Sequence, residues 1–312
     1  MAAQIIDGKK IAAAVQQELV GRIQKLKEKG ITPGLAAVLV GDNPASAIYV
    51  QSKTRKCLEL GLFSETIRLP QDVCENTLLQ RLHALNADAR IHGILVQLPL
   101  PPQIRERVVL EAVAPEKDVD GFHPVSRGRL QLGEETFAPC TPMAVQELIK
   151  RSGFSANGRH VVILGRSQIV GLPLALLLAQ KNPDANATVT ICHSATKNLA
   201  DLTARADILV AAIGRANFVT ADMVRRDTVV IDVGINRLED SNSPKGYRVV
   251  GDVDFDRVRE KAAAITPVPG GVGPMTIMML MQNTVLAAEG IAQRAEGLEQ
   301  RAMNSESLCS MR

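Results

Sequence analysis

Apolar residues recur at three- and four-residue spacing near the start of the chain. Ile11, Val15, Leu19, Ile23 and Leu26 fall on one helical face, and the spacing predicts a helix ending near Gly30. The pattern then changes character. Residues 35–40 (LAAVLV) form a short unbroken apolar run between glycines, as in a strand buried on both faces. A second helix is predicted from Ser46, read as its N-cap, to about Leu60. ETIRL reads as a strand, Leu78, Leu82 and Leu85 mark a third helix, and residues 93–98 (GILVQL) are another buried strand. Strands alternating with helices predict a parallel α/β layer.

Around residues 118–142 the periodicity disappears, which suggests a domain junction. A second alternation follows: HVVILG, a helix through Leu174 and Leu178, ATVTIC, a short helix, ADILVAAIG, another helix and TVVIDVG. These strands predict a second parallel sheet. The apolar helix after Thr276 comes once that domain is complete, so it is expected to pack back on the first. The expected fold is therefore α/β with two domains, each a parallel sheet flanked by helices, the second Rossmann-like. Residues 1–141 with 275–296 form one domain, 142–274 the other, and 297–312 a polar, frayed tail.

A chain of 312 residues is long enough for two cores. A net charge of +3 without a lysine-rich tract gives no footprint for nucleic acid. The longest apolar run, residues 169–179, has 11 residues and contains a proline, against the roughly 20 that a membrane-spanning helix needs. The N-terminus lacks the basic and apolar regions of a secretory signal. The five cysteines are scattered, odd in number and form no CxxC, which argues against disulfides and a zinc site. A soluble cytoplasmic protein without a metal is expected.

Two regions carry candidate chemistry. In VVILGRSQIVGLPLA, Gly165 follows a buried strand and Gly171 lies in the first turn of the next helix. Such a turn lets a phosphate approach backbone N–H groups at a helix N-terminus. Ser167 stands where a GxGxxG pattern has its second glycine. The next strand ends in TICHSAT, with His193 and Ser194 where NAD sites usually carry an acidic residue. With Arg166 beside the turn, this set suits a 2′-phosphate and hence NADP. His193 also reads as a plain loop histidine.

The second region lies earlier. Tyr49 and Lys53 are four residues apart and share a helix face. The short-chain dehydrogenases have a Tyr-x-x-x-Lys pair after their glycine turn, whereas this pair precedes it. Gln97 is a polar residue closing a buried strand, where α/β proteins line their ligand crevice. Asp120, in KDVDGF, reads equally as a turn aspartate. The segment PVPGGVGPMT, residues 267–276, is stiff and bare in front of an apolar helix. It suits either a tight connection or a surface against which a flat ligand lies.

VGDNPASAIYVQSK, GILVQLPLP, KDVDGFHP, PCTP, GRSQIVGLP, TICHSAT and PVPGGVGPMT occur in the order seen in bifunctional methylenetetrahydrofolate dehydrogenase/cyclohydrolases, and the chain resembles that family from about Gln4 to Glu289. The resemblance implies oxidation of 5,10-methylenetetrahydrofolate with NADP, then hydrolysis of the methenyl cation to 10-formyltetrahydrofolate, in one-carbon metabolism and purine biosynthesis. It implies that Lys53 is the acid–base residue of hydrolysis, that Gln97 orients it, that Tyr49 stacks on the aminobenzoate ring and that Asp120 pairs with pterin N–H donors. Val96 and Leu98, with Pro269, Gly270, Gly271, Val272 and Gly273, are implied folate contacts. Gly165, Arg166, Ser167, His193, Ser194 and Ile235 are implied cofactor contacts. A side chain at Gly270 or Gly271 is expected to push the reacting carbons apart. The family forms homodimers through the cofactor domain. A dehydrogenase without the hydrolytic step and a non-enzymatic NADP-sensing module are the alternatives; Lys53 and Gln97 argue against the first, and Lys53, Gln97 and Asp120 together against the second.

Overall fold

The structure is a computed structural model that describes residues 2–241, 243 and 246–309, the stretch 295–309 for its backbone alone. In chain order its elements are β1 (Gln4–Ile5), α1 (Gly8–Glu28), β2 (Gly34–Val40), α2 (Pro44–Glu59), β3 (Phe63–Leu69), α3 (Glu75–Ala87), β4 (Gly93–Val96) and α4 (Glu106–Glu111). There follow α5 (Pro124–Leu132), α6 (Cys140–Arg151), β5 (His160–Leu164), α7 (Gly171–Ala179), β6 (Thr188–Cys192), α8 (Leu199–Thr203), β7 (Ile208–Ala211) and β8 (Val229–Asp232). The last are β9 (Asn236–Glu239), β10 (Tyr247–Val250), α9 (Phe255–Arg259), β11 (Ala264–Ile265) and α10 (Val272–Cys309). Two compact units result: Gln16–Val125 with the chain from Leu280 onward, and Ser126–Met279 with the residues up to Val15.

The first unit holds a parallel sheet in the order β3-β2-β4. Every residue of β2 is buried, as its unbroken apolar run requires. Ala36, Val38 and Val40 pack with Ile94 and Val96 of β4 and with Leu78, Leu82 and Leu85 of α3. Helix α2 starts earlier than the sequence predicts. Asn43 rather than Ser46 is its N-cap, because the Asn43 Oδ1 accepts the N–H groups of Ala45 and Ser46 and Pro44 opens the helix. From Leu280 onward the final helix packs in this unit: Asn283 Nδ2 donates to the Val119 carbonyl at 2.8 Å, and Arg22 pairs with Glu289 at 2.5 Å. The backbone of α10 runs as helix to Cys309, into the stretch expected to fray; the side chains of that stretch, and residues 310–312 altogether, lie outside the described residues.

The second unit holds a six-stranded sheet in the order β1-β11-β8-β7-β5-β6, parallel throughout. The chain runs from β5 to β6 on one side and returns to β7 on the other, so the order reverses between β5 and β7. The structure departs from the predicted pattern in several places, among them helices α4, α6 and α9, which the sequence reading does not include. Two-residue strands β1 and β11 extend the sheet, α5 forms in the aperiodic stretch, and β9 and β10 make an antiparallel pair. The helix predicted between β7 and β8 is a single 3-10 turn, Ala221–Met223. No helix among the described residues is long and apolar enough to cross a membrane.

Candidate functional site

In the first unit, the structure brings Lys53 and Gln97 together. Strand β4 ends at Val96, but the Gln97 N–H still donates to the Val38 carbonyl at 2.9 Å, so the register carries one residue past the strand. The Gln97 side chain therefore leaves the C-terminal edge of a parallel sheet, where α/β proteins bind ligands. Its Nε2 donates to the Leu98 carbonyl at 2.7 Å, which turns Oε1 toward α2, and Lys53 Nζ donates to that oxygen at 3.2 Å. The orientation of the amide is assigned from this network. Val96 is buried, Gln97 and Leu98 are half-buried, and the Leu98–Pro99 bond is cis.

Tyr49 sits one turn before Lys53 on α2, with 45% of its surface exposed, as suits a ring that meets a ligand rather than a core. The two aspartates of KDVD separate by environment. Asp118 is buried, and its carboxylate accepts the N–H groups of Phe122 and His123 at 3.1 and 2.8 Å, which holds the turn. Asp120 is half-buried.

In the second unit, Gly165 directly follows β5 with φ +116°, and a Cβ there would lie 2.2 Å from the Ala212 carbonyl oxygen. A Cβ on Gly171 would lie 2.1 Å from the Gly165 carbonyl oxygen. Both glycines are thus fixed by close backbone packing. Ser167 has its own reason to replace a glycine: its Oγ accepts the N–H groups of Val170 and Gly171 at 3.1 and 3.4 Å, covering the first-turn donors of α7. A phosphate bound here has to share or displace that hydroxyl. Arg166 is exposed beside it, and Arg127 of α5 donates from Nη1 to Gln168 Oε1 of the same loop at 2.9 Å.

At the end of β6 the chain carries no carboxylate. The His193 N–H donates to Thr196 Oγ1 at 2.8 Å, and His193 Nδ1 accepts the Ala195 N–H at 3.2 Å, so one ring nitrogen already serves the turn. Ser194 is exposed, and Ile235, after β8, is 53% exposed.

Residues 269–273 are not one uninterrupted bare surface. Gly270 and Gly271 are buried, and Val272 and Gly273 already belong to α10. A Cβ on Gly271 would meet the Pro267 carbonyl oxygen at 2.7 Å and Thr266 Cβ at 2.8 Å. A Cβ on Gly8 would meet the Gly271 carbonyl oxygen at 1.8 Å. A side chain at Gly271 would therefore collide with Pro267 and Thr266 of the same unit, whatever it does to bound reactants. Gly273 is exposed with nothing within 4 Å of its Cβ position.

Sequence reasoning passed over a buried pair of aspartates. Asp232 ends β8 and Asp252 follows β10 by two residues; both are buried. Asp232 accepts the N–H groups of Gly234, Asp252 and Val253, each at 2.9 Å. Burial pushes Asp232 up to about 7 against those donors, with Asp252 adding to the rise. The available signal was an acidic residue closing an apolar strand, VVID. Among the described residues, no group of three or more His, Cys, Asp or Glu side chains could hold a metal ion.

Comparison with known proteins covers nearly the whole chain. The catalytic domain of tetrahydrofolate dehydrogenase/cyclohydrolase matches residues 6–120, and the NAD(P)-binding domain of the same family matches residues 139–292. A bifunctional protein FolD of Dehalococcoides mccartyi is 59% identical over 96% of this chain and 99% of its own, and one of Prosthecochloris aestuarii is 52% identical over 90% and 96%. The crystal structure of the Campylobacter jejuni FolD superposes with a TM-score of 0.87 at 47% identity, covering 93% of this chain and 99% of that one. The Trypanosoma brucei FolD, complexed with NADP cofactor and inhibitor, gives 0.88 at 41% identity over 94% and 99%. The chain belongs to the tetrahydrofolate dehydrogenase/cyclohydrolase family.

Proposed function

We propose that the protein oxidises 5,10-methylenetetrahydrofolate to the 5,10-methenyl compound with NADP+ and then hydrolyses that compound to 10-formyltetrahydrofolate. When bound, NADP+ supplies the hydride acceptor. The residues fit such a cofactor: β5 ends in a turn stripped of side chains at Gly165 and Gly171, beside the exposed Arg166, and β6 ends without the carboxylate that would repel a 2′-phosphate. Gly165, Arg166, Ser167, His193, Ser194 and Ile235 would hold it, within a cofactor domain of residues 142–274.

The observation that carries the hydrolytic half is the Lys53–Gln97 hydrogen bond at 3.2 Å. Hydrolysis adds water to the methenyl carbon, takes both protons from that water's oxygen, delivers one to the ring nitrogen whose bond to the carbon breaks and releases the other to solvent. An ammonium held in a fixed direction can relay that proton. Gln97 keeps the Lys53 Nζ aimed, Tyr49 stacks on the aminobenzoate ring, and Asp120 accepts the pterin N–H donors. Val96, Leu98, Pro269, Gly270, Gly271, Val272 and Gly273 contact the folate. The folate domain, expected over residues 1–141 and 275–296, has its core in the unit Gln16–Val125 with the chain from Leu280 onward. A cytoplasmic homodimer acting in one-carbon supply for purine biosynthesis, with no nucleic-acid or membrane partner, accords with the small net charge.

Lys53→Met tests this reading. Hydrolysis of the methenyl compound is expected to be lost while NADPH formation from the methylene compound survives. Unchanged hydrolysis would remove Lys53 from the mechanism.

A further inference from the structure

The second buried aspartate has no place in the chemistry above, yet it is among the most fully hydrogen-bonded side chains in the molecule. Asp252 has no exposed surface. Its Oδ2 accepts the N–H groups of Ile213 and Gly214 at 2.7 and 2.9 Å, and its Oδ1 accepts the Arg215 N–H at 2.8 Å and the Asn236 Nδ2 at 2.9 Å. Three successive backbone N–H groups converging on one point form an anion-binding concavity of the kind phosphates often fill. Here the protein's own carboxylate fills it.

The location gives this clasp its meaning. The turn 213–215 follows β7, and the sheet order reverses between β5 and β7. In open α/β sheets a dinucleotide lies across such a switch point, with its pyrophosphate at the turn after the first strand. The adenosine half then lies toward β6 and the other half toward β7 and β8. The two turns also touch: the carbonyl of Ala212, the residue before 213, limits Gly165. Asp252 reaches the turn from a distant part of the chain and ties Asn236, after β8, to the same carboxylate. Gly234 is a glycine for this reason, since a Cβ there would lie 2.2 Å from Asp252 Oδ1.

We propose that Asp252 is the positioning residue for the nicotinamide half of the cofactor: by holding the turn 213–215 and the Asn236 side chain in one shape, it forms the β7–β8 side of the crevice. The inference rests on the reading of this unit as an NADP domain. Asp252 touches no reacting atom. By filling the concavity it also leaves the Gly165 turn as the place for the pyrophosphate.

The test is calorimetric titration of the full chain with NADP+ and, separately, with adenosine 2′,5′-bisphosphate, which carries only the adenosine half. In Asp252→Asn the side chain keeps one oxygen acceptor and presents an N–H group to donors. NADP+ binding is expected to weaken about tenfold or more, a loss of about 1.4 kcal/mol or more, while the bisphosphate binds as in the wild type. Should that variant fail to fold, Asn236→Ala removes one donor while the three backbone N–H groups of 213–215 still hold the Asp252 carboxylate, and the same selective loss, smaller in size, is expected. Equal weakening of both ligands, or of neither, overturns the inference. Wild-type protein that binds neither ligand overturns the NADP reading itself, and the inference with it.

Discussion

Lys53 Nζ and Gln97 Oε1 lie 3.2 Å apart, and the other end of the Gln97 amide is fixed by the Leu98 carbonyl at 2.7 Å. The lysine is therefore aimed by a side chain that cannot turn over without breaking a second hydrogen bond. Replacing Gln97 by Ala leaves Lys53 free to sample other rotamers. Hydrolysis of the methenyl compound should fall about 10²-fold, the lower end of what a positioned acid–base group contributes. The hydride-transfer rate at saturating folate should fall less. Separate assays of the two steps check this, and an unchanged ratio between them would show that Gln97 does not orient the lysine for hydrolysis.

The glycines around 270 divide into two kinds, and their substitutions should behave differently. Gly8→Ala places a methyl 1.8 Å from the Gly271 carbonyl oxygen, so the helix start must shift. A loss of about 1–3 kcal/mol in urea unfolding is expected, as for other overpacked sites. Gly273→Ala meets nothing within 4 Å and replaces a glycine inside α10, so stability should hold or rise by up to about 1 kcal/mol. If folate passes over this residue, as proposed, its kcat/KM should nevertheless drop at least about tenfold. Full activity in Gly273→Ala would remove Gly273 from the folate contacts.

Much of this arrangement was legible in the sequence because burial on both faces leaves an unmistakable mark. GLAAVLV and GILV are strands in which every residue is buried, and the polar Gln97 directly after the second stands out against them. Strands β1 and β11 are two residues long, too short for any period to show. Helix α5 buries only Ser126 and Leu130, so it has no apolar stripe to read. The close approach of Gly8 to the Gly271 carbonyl was unreadable for a related reason, since the two lie far apart in sequence and a contact between two backbones leaves no compositional trace. Asp252 was hidden for the same reason, since its partners at 213–215 are recognisable only as N–H groups brought together by folding.

Cofactor choice offers a separate test. Arg166 is the exposed cation of the β5 turn, and the end of β6 supplies hydroxyl and imidazole groups rather than a carboxylate. Arg166→Ala should raise the KM for NADP+ about tenfold or more, as expected for losing a hydrogen bond to a charged group worth about 1.5–3 kcal/mol. The KM for NAD+ should change little, because that cofactor has no 2′-phosphate for the arginine to meet. Equal changes for both cofactors would place Arg166 elsewhere on the dinucleotide.

His92 should make the folate-binding unit acid-sensitive. The residue is 5% exposed, and its Nδ1 accepts the Gly34 N–H at 3.1 Å at the start of β2. Burial lowers its pKa, the Arg90 carbonyl opposes that shift, and the nearby Lys117 adds to it. A folded-state value below the unfolded one, about 6.5, means the unfolded chain takes up a proton first. The stabilisation is present above about 6.5 and is lost as the pH falls through the folded value. Asp232 works with the opposite sign: raised to about 7, it contributes below the ordinary carboxylate range, and that contribution is lost as the pH rises to its folded value. Single variants separate the two. The wild-type urea midpoint should drop between about pH 7.5 and about pH 5.5 by more than that of His92→Asn, which keeps an acceptor for Gly34 but carries no titrating ring. Identical pH dependence in both proteins would show that the imidazole stays unprotonated through that range or that its protonation costs the fold nothing.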